Sequence, residues 1–199
     1  MLRFGGDSLD ESSAGPSRVA LAALARLARL TRWNVIYSVS LGRFSSARAG
    51  RAAKAAQRAL GDRLTAIACG NEPDDFARNG VRPGSFTETS YLRQAGSCIN
   101  AVRRAVPAAR IAGPDTLHVS WLARYASAEK GRVSLLTEHY YPLSDCNGPD
   151  GTPATLMSRA TAAAEASMIG AAAAVARTAG VPLRISETNS ASPRGPSPH

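Results

Sequence analysis

Leu64-Thr65-Ala66-Ile67-Ala68-Cys69-Gly70-Asn71-Glu72-Pro73-Asp74 is the stretch that decides the fold. An apolar, strand-like run ends on a glycine, and a polar, acidic turn follows at once. That order sets a carboxylate at the C-terminal end of a strand. By the two-residue period of a strand, Glu72 shares a face with Gly70, Ala68 and Ala66, whose small side chains leave room above them. Cys69 reads as a small core residue of the same run. A second stretch repeats the arrangement: Pro182-Leu183-Arg184-Ile185-Ser186 is strand-like and leads into Glu187-Thr188-Asn189. There Glu187 shares its face with Ile185 and Leu183, while Arg184 points the other way.

Outward from these two stretches, strand and helix patterns alternate. Strands are expected at Leu2–Phe4, Asn34–Leu41, Leu64–Cys69, Arg110–Ala112, Val133–Tyr140 and Pro182–Ser186. Helices are expected over 17–30, 46–60, 90–106, 120–127 and 153–178. Ser17 precedes Val19, Leu21, Leu24, Leu27 and Leu30 at helical spacing, and Gly61 and Gly180 stand just past their helices. Thr152 caps and Pro153 opens the last, Ala-rich helix. Strict alternation predicts parallel strands with right-handed crossovers, either an open doubly wound sheet or a (β/α)₈ barrel. The first strand–helix turn, Gly5-Gly6-Asp7-Ser8, is not GxGxxG, and no Walker motif occurs, so nucleotide binding loses ground.

Composition narrows the class further. The chain has 199 residues, 44% hydrophobic and 20% charged, which suits one globular domain. No apolar run reaches the roughly 20 residues of a membrane span. The N-terminus has no apolar h-region, so no secretory signal is visible. The formal charge of +9 is nearly all arginine. Most of these arginines lie in helical patterns and coat solvated faces; the functional reading is a groove for an anionic sugar or polymer. No basic run is interleaved with aromatics, so nucleic acid is not expected as a partner. Cys69, Cys98 and Cys146 are too few and too scattered for a disulfide framework, and no CxxC spacing suggests zinc.

In a barrel, chemistry gathers at the C-terminal ends of strands. The polar residues there are Asp7 and Asp10, Asn71 and Glu72, Asp115, Glu138 to Tyr141, and Glu187 to Asn189. Two carboxylates on one rim are the equipment for glycoside hydrolysis. One is protonated and donates to the leaving oxygen, and the other is ionised and attacks the anomeric carbon. Glu72 and Glu187 are the pair. Glu138 reads as a structural neighbour. His139 and His118 lack a second close ligand, so no metal or cofactor is expected. Core packing is the reading for Trp33 and Trp121.

Arg3-Phe4-Gly5-Gly6-Asp7-Ser8, Gly70-Asn71-Glu72-Pro73-Asp74, Ala112-Gly113-Pro114-Asp115, His139-Tyr140-Tyr141-Pro142 and Ser186-Glu187-Thr188-Asn189-Ser190 occur in that order. Together they resemble glycoside hydrolase family 79, the β-glucuronidase and heparanase-like group, over residues 1 to about 192. The resemblance implies a retaining enzyme on a (β/α)₈ TIM-type barrel. It implies Glu72 as general acid/base, after the fourth barrel strand, and Glu187 as nucleophile, after the seventh. Asn71 would hydrogen-bond the sugar 2-hydroxyl. His139 and Tyr141 would orient Glu187 or line the sugar subsite. Tyr140 and Asn189 belong to the same two motifs and count as candidate substrate contacts, and Asp7 would sit in the sugar-binding rim. Tyr140 or Tyr141 is expected to give Glu187 a hydroxyl donor. The implied partner is a carbohydrate, and family analogy implies an extracellular enzyme.

Six strands fall short of eight, so the expectation is an incomplete barrel over residues 1–190, with strands two to seven present. Residues 191–199 read as a disordered Pro-rich tail. The alternative function is a truncated, inactive remnant that binds sugar weakly. The sequence assigns no oligomeric state.

Overall fold

A computed structural model describes residues 1–12, 15–143 and 151–191. Its elements are β1 (Leu2–Phe4), α1 (Asp7–Glu11), α2 (Arg18–Thr31), β2 (Val35–Val39), α3 (Ser46–Leu60), β3 (Leu64–Cys69), α4 (Glu88–Ala105), β4 (Ile111–Thr116), α5 (Val119–Ala128), β5 (Leu135–Tyr140), α6 (Pro153–Leu156), α7 (Arg159–Ala179) and β6 (Leu183–Thr188). All six strands pair in parallel, in chain order from β1 to β6.

The sheet curls into a nearly closed barrel. Laid flat, six strands would hold β1 and β6 roughly 24 Å apart, at about 4.8 Å per step. Instead the Arg3 guanidinium of β1 donates to Glu187 of β6 across 2.8 Å. This is an incomplete (β/α) barrel of the TIM type.

Small side chains fill its interior: Ala66 and Ala68 of β3 and Ala112 of β4, with Ile36 and Leu135 beside them. The opposite strand faces carry the larger residues. Val35, Tyr37, Ile67, Ile111 and Leu136 are buried against the helices, together with Leu21, Leu24, Ile99 and Leu122. β2 is buried along its whole length, as a strand covered on both faces must be.

The helices start where local chemistry supplies a cap. Ser17, Thr87, Thr152 and Ser158 each accept a hydrogen bond from a backbone N–H in the first turn. The last of these corrects the single helix expected over 153–178. Ser158 is a second cap, and it divides the segment into α6 and α7. Two strands are longer than expected: β4 runs on to Thr116, and β6 continues through Glu187 to Thr188. The short helix α1 was not foreseen.

Two further expectations need correction. Cys69 and Cys98 form a disulfide that ties β3 to α4. Cys69 faces outward from β3, and Cys98 lies on the buried stripe of α4 with Tyr91, Ala95 and Val102. Cys146 lies outside the described residues. Trp33 is 48% exposed; it follows the end of α2, beyond the packed face. Trp121, by contrast, packs on Tyr91 with ring centroids 5.6 Å apart. Of the tail expected over 191–199, Ala191 is buried and bridges Leu143. Residues 192–199 lie outside the described residues. No helix among the described residues is long and apolar enough to cross a membrane.

Candidate active site

Gly70 follows the end of β3, and its φ of 87° lies in the left-handed region; Glu72 comes next but one at 46°. A non-glycine residue held there stores of order 1 kcal/mol or more of backbone strain. The turn is fixed by its hydrogen bonds. Glu72 N donates to the Asp115 carbonyl at 2.8 Å, and Asn71 N donates to Asp10 at 2.8 Å. The Asp10 carboxylate also accepts from Leu41 N at 2.6 Å and Gly42 N at 2.8 Å. A side chain at position 42 would collide with the Asp10 carbonyl, so glycine is required there. Asp10 thus ties the ends of β2 and β3 together. Burial raises its pKa against the three backbone donors. Asp10→Ala strands three buried N–H groups. It should lower unfolding free energy by about 3 kcal/mol or more, read as a shifted urea midpoint with unchanged slope.

β6 presents Glu187 through a bulge. Glu138 pairs with Ile185, but His139 pairs with Glu187, which leaves Ser186 as an extra residue. A bulge turns neighbouring side chains to one side. Ser186 Oγ and Glu187 both face the interior, where Ser186 donates to Asp115 Oδ1 at 2.6 Å. The face expected from strict alternation therefore does not apply past Ile185.

The two glutamates converge. Glu72, Glu187 and His139 each place a ligating atom within 4.8 Å of the others, so the two carboxylates nearly meet. His139 Nδ1 lies 2.8 Å from Glu72 Oε1 and 3.9 Å from Glu187 Oε2. The Arg3 guanidinium spans the interior: Nη1 reaches Glu187 Oε2 at 2.8 Å, Nη2 reaches Asn71 Oδ1 at 2.6 Å, and Nε reaches Asp115 Oδ2 at 3.1 Å. Tyr141 donates its hydroxyl to the other oxygen of Glu187. Asn71 Nδ2 donates to Asp7 at 2.7 Å.

Burial raises the pKa of Glu72; His139 opposes the shift, and the charges of Glu187 and Asp7 add to it. Burial also disfavours charge on His139, but Asp115 and Glu72 outweigh it and lift its pKa to about 9. Asp115 is fully buried, and Arg3, His139 and Ser186 hold its carboxyl well below the usual range despite that burial. Burial and the Glu187 charge push the Tyr141 hydroxyl far up, which keeps it a donor. The result is one carboxyl biased toward its acid form beside another that accepts from a cation and a phenol.

By spacing alone, Glu72, His139 and Glu187 suit a divalent cation. Arg3 and a protonated His139 already bring positive charge to the same carboxylates, so the protein itself supplies what a metal would. His139 does have a close carboxylate, contrary to expectation. His118 pairs with Asp74 at 2.7 Å and stands apart from the barrel interior.

Among the other candidates, Asn71 and Asp7 lie beside the glutamates. Tyr140 is half-buried at the end of β5, opposite Thr188, and among the described residues its hydroxyl has no hydrogen-bond partner. Asn189 is exposed, with its Oδ1 on Ser190 N. Glu138 faces the helices: it is buried, accepts from Thr116 at 2.9 Å, and its pKa is pushed by burial to about 8. Sequence reasoning gave no role to Arg3, Asp115 or Ser186, which connect the glutamates to one another.

Similarity to solved structures runs in one direction. A 4-O-α-L-rhamnosyl-β-D-glucuronidase from Fusarium oxysporum superposes with a TM-score of 0.72 at 21% identity, over 97% of this chain and 47% of its own. A family 51 α-L-arabinofuranosidase from Bifidobacterium longum gives 0.63 at 13% identity, over 94% and 46%. A family 39 glycoside hydrolase from Xanthomonas axonopodis pv. citri gives 0.58 at 13% identity, over 87% and 40%. The chain shares the (β/α)-barrel fold of these structures. It spans about half the length of these structures. No family model matches the sequence, and no curated protein does.

Proposed function

We propose that the chain carries the catalytic centre of a retaining glycoside hydrolase of the family 79 type, acting on β-linked glucuronic acid or a related sugar. The observation that carries this reading is the approach of the Glu72 and Glu187 carboxylates to within 4.8 Å. Retaining pairs stand about 5–5.5 Å apart, whereas inverting pairs need about 6.5–9.5 Å to admit a water. The resemblance of the five motifs and the glucuronidase among the structural neighbours favour the sugar class.

The chemistry follows from the site. Glu187 attacks the anomeric carbon with one carboxylate oxygen as the glycosidic bond breaks. Glu72 gives its proton to the departing oxygen, and a glycosyl ester remains on Glu187. Glu72, now ionised, takes a proton from water; the hydroxide oxygen bonds to the anomeric carbon, and Glu187 leaves as carboxylate. Arg3 and Tyr141 fix the attacking oxygens. Asn71, held by Arg3 and Asp7, takes the role that the resemblance implies for it and bonds the sugar 2-hydroxyl. His139 holds Glu72 in line.

A panel of aryl glycosides tests the reading. The expected result is aglycone release from the β-glucuronide or a close relative, with a first-formed sugar of β configuration. No turnover across the panel, from a chain that melts cooperatively, would leave the second reading. On that reading the chain, which spans about half of its neighbours, is a sugar-binding remnant.

A further inference from the structure

The positive charge of the chain is concentrated on one flank. Between Ser12 and Gly61 there are nine basic residues and no acidic one; elsewhere the two signs balance, so the whole formal charge of +9 resides in that segment. It comprises α2, β2 and α3, and its basic side chains are exposed. None of them forms an ion pair with a described residue.

Two concavities lie on this flank. One, of about 320 Å³, opens at the end of β2 between Arg43, Arg48 and Arg51, with Ser40 on its wall. The other, of about 430 Å³, is the groove between α3 and α4, bounded by Arg51, Lys54 and Arg104. Arg51 belongs to both, and among the described residues no carboxylate lines either. The groove is shallow-floored because Gly50 lets the helices close in. A methyl group there would already touch the Ala101 carbonyl and the Ala105 side chain at 3.4 Å. Along α3 the cations recur every three or four residues, a spacing of about 4.5–6 Å.

We propose that this flank binds an extended carboxylated polysaccharide, which lies in the α3–α4 groove and passes Arg51 toward the barrel rim beside β2. The choice of a saccharide rests on the glycosidase reading; the polyanion itself rests on the charge. Arginine pairs bidentately with carboxylates, and a file of cations matches a polymer with one anion per sugar. Sequence-tolerant nucleic-acid grooves stack bases on aromatic side chains, and no aromatic residue lines the α3–α4 groove. Each exposed pair is weak, so affinity comes from their number and is screened by salt.

Anisotropy of a fluorescein-labelled polygalacturonate fragment tests this in the full chain. Binding should weaken about tenfold between 50 and 200 mM NaCl, as screened multi-charge contacts do. The variant R51E/K54E/R104E should bind at least about tenfold more weakly still, by replacing three attractions with repulsions. These residues are exposed and outside the catalytic site, so its melting temperature and aryl-glycoside turnover should match the parent. A neutral dextran of the same length should not bind. Undiminished binding by the variant would overturn the proposal. So would duplex DNA of matched charge binding as tightly as polygalacturonate, since that would mark a nucleic-acid or indiscriminate cation surface. Failure of the glycosidase reading would show separately, as absent aryl-glycoside turnover with polygalacturonate binding intact.

Discussion

Glu187→Gln should abolish hydrolysis of an activated aryl glycoside, with a loss of about 10⁴-fold, or about 5 kcal/mol of barrier. The amide keeps the shape of the side chain but cannot form the glycosyl ester. Folding should survive. Arg3 keeps its bonds to Asp115 and Asn71, so the guanidinium is not left unpaired. Glu187 is also the more open of the two, 37% exposed against 12% for Glu72, so its replacement disturbs little packing. The check is turnover and thermal melting on the same preparation. Lost turnover with an unmoved transition supports the nucleophile assignment. Retained turnover would transfer that role to another group.

Asp115→Asn should have the largest effect on stability. This one buried anion holds both cations of the site: Arg3 at 3.1 Å, which reaches on to Glu187, and His139 at 3.6 Å, which reaches on to Glu72. Neutralising it leaves a guanidinium and an imidazolium short of charge in the interior. Breaking a buried pair from one side costs about 3–5 kcal/mol. The imidazole of His139 should then titrate well below the value of about 9 that it has with both carboxylates in place. Its neighbours from every packed strand are Glu72, Asp115, Glu187 and Arg3, and removing Asp115 takes away the innermost anion.

The same groups set the pH dependence of stability. His139 and Glu138 have folded pKa values raised to about 9 and about 8. Their contributions are complete below their ordinary values and are lost as pH rises through the raised ones. Asp115 is depressed, so its contribution is present above the ordinary aspartate value and lost as pH falls. The melting temperature should therefore peak near pH 4, between the ordinary aspartate and glutamate values, and decline from there through pH 8 to 9. Asp115→Asn should lose the acid limb attributable to this residue and flatten the part of the alkaline decline that belongs to His139. Ring resonances of His139 and melting curves across pH check both.

Much of this was legible in the sequence, because it depends on local order. Apolar runs ending in glycine gave the strands, and Ser17 and Thr152 gave helix starts. The rule that chemistry sits at strand C-termini singled out Glu72 and Glu187. What escaped was long-range. Arg3 is the middle residue of a three-residue strand, and its contacts lie 68, 112 and 184 positions away. Nothing local marks it. The β6 bulge at Ser186 leaves no trace in an apolar pattern, so strict alternation misjudged which face carries Glu187. The Cys69–Cys98 bond needed the outward face of β3 set against the buried stripe of α4, and cysteine counting ignores that register. Ser158 was hidden by the alanine-rich run around it.

The most direct test of two carboxylates sharing one bond is to trap the covalent intermediate. Incubation with an activated 2-deoxy-2-fluoro-β-glycoside of the preferred sugar, followed by peptide mass spectrometry, should show one added glycosyl mass on the peptide that contains Glu187. The label should be absent from Glu187→Gln. A label on any other residue, or hydrolysis that delivers the α-configured sugar first, would contradict the account.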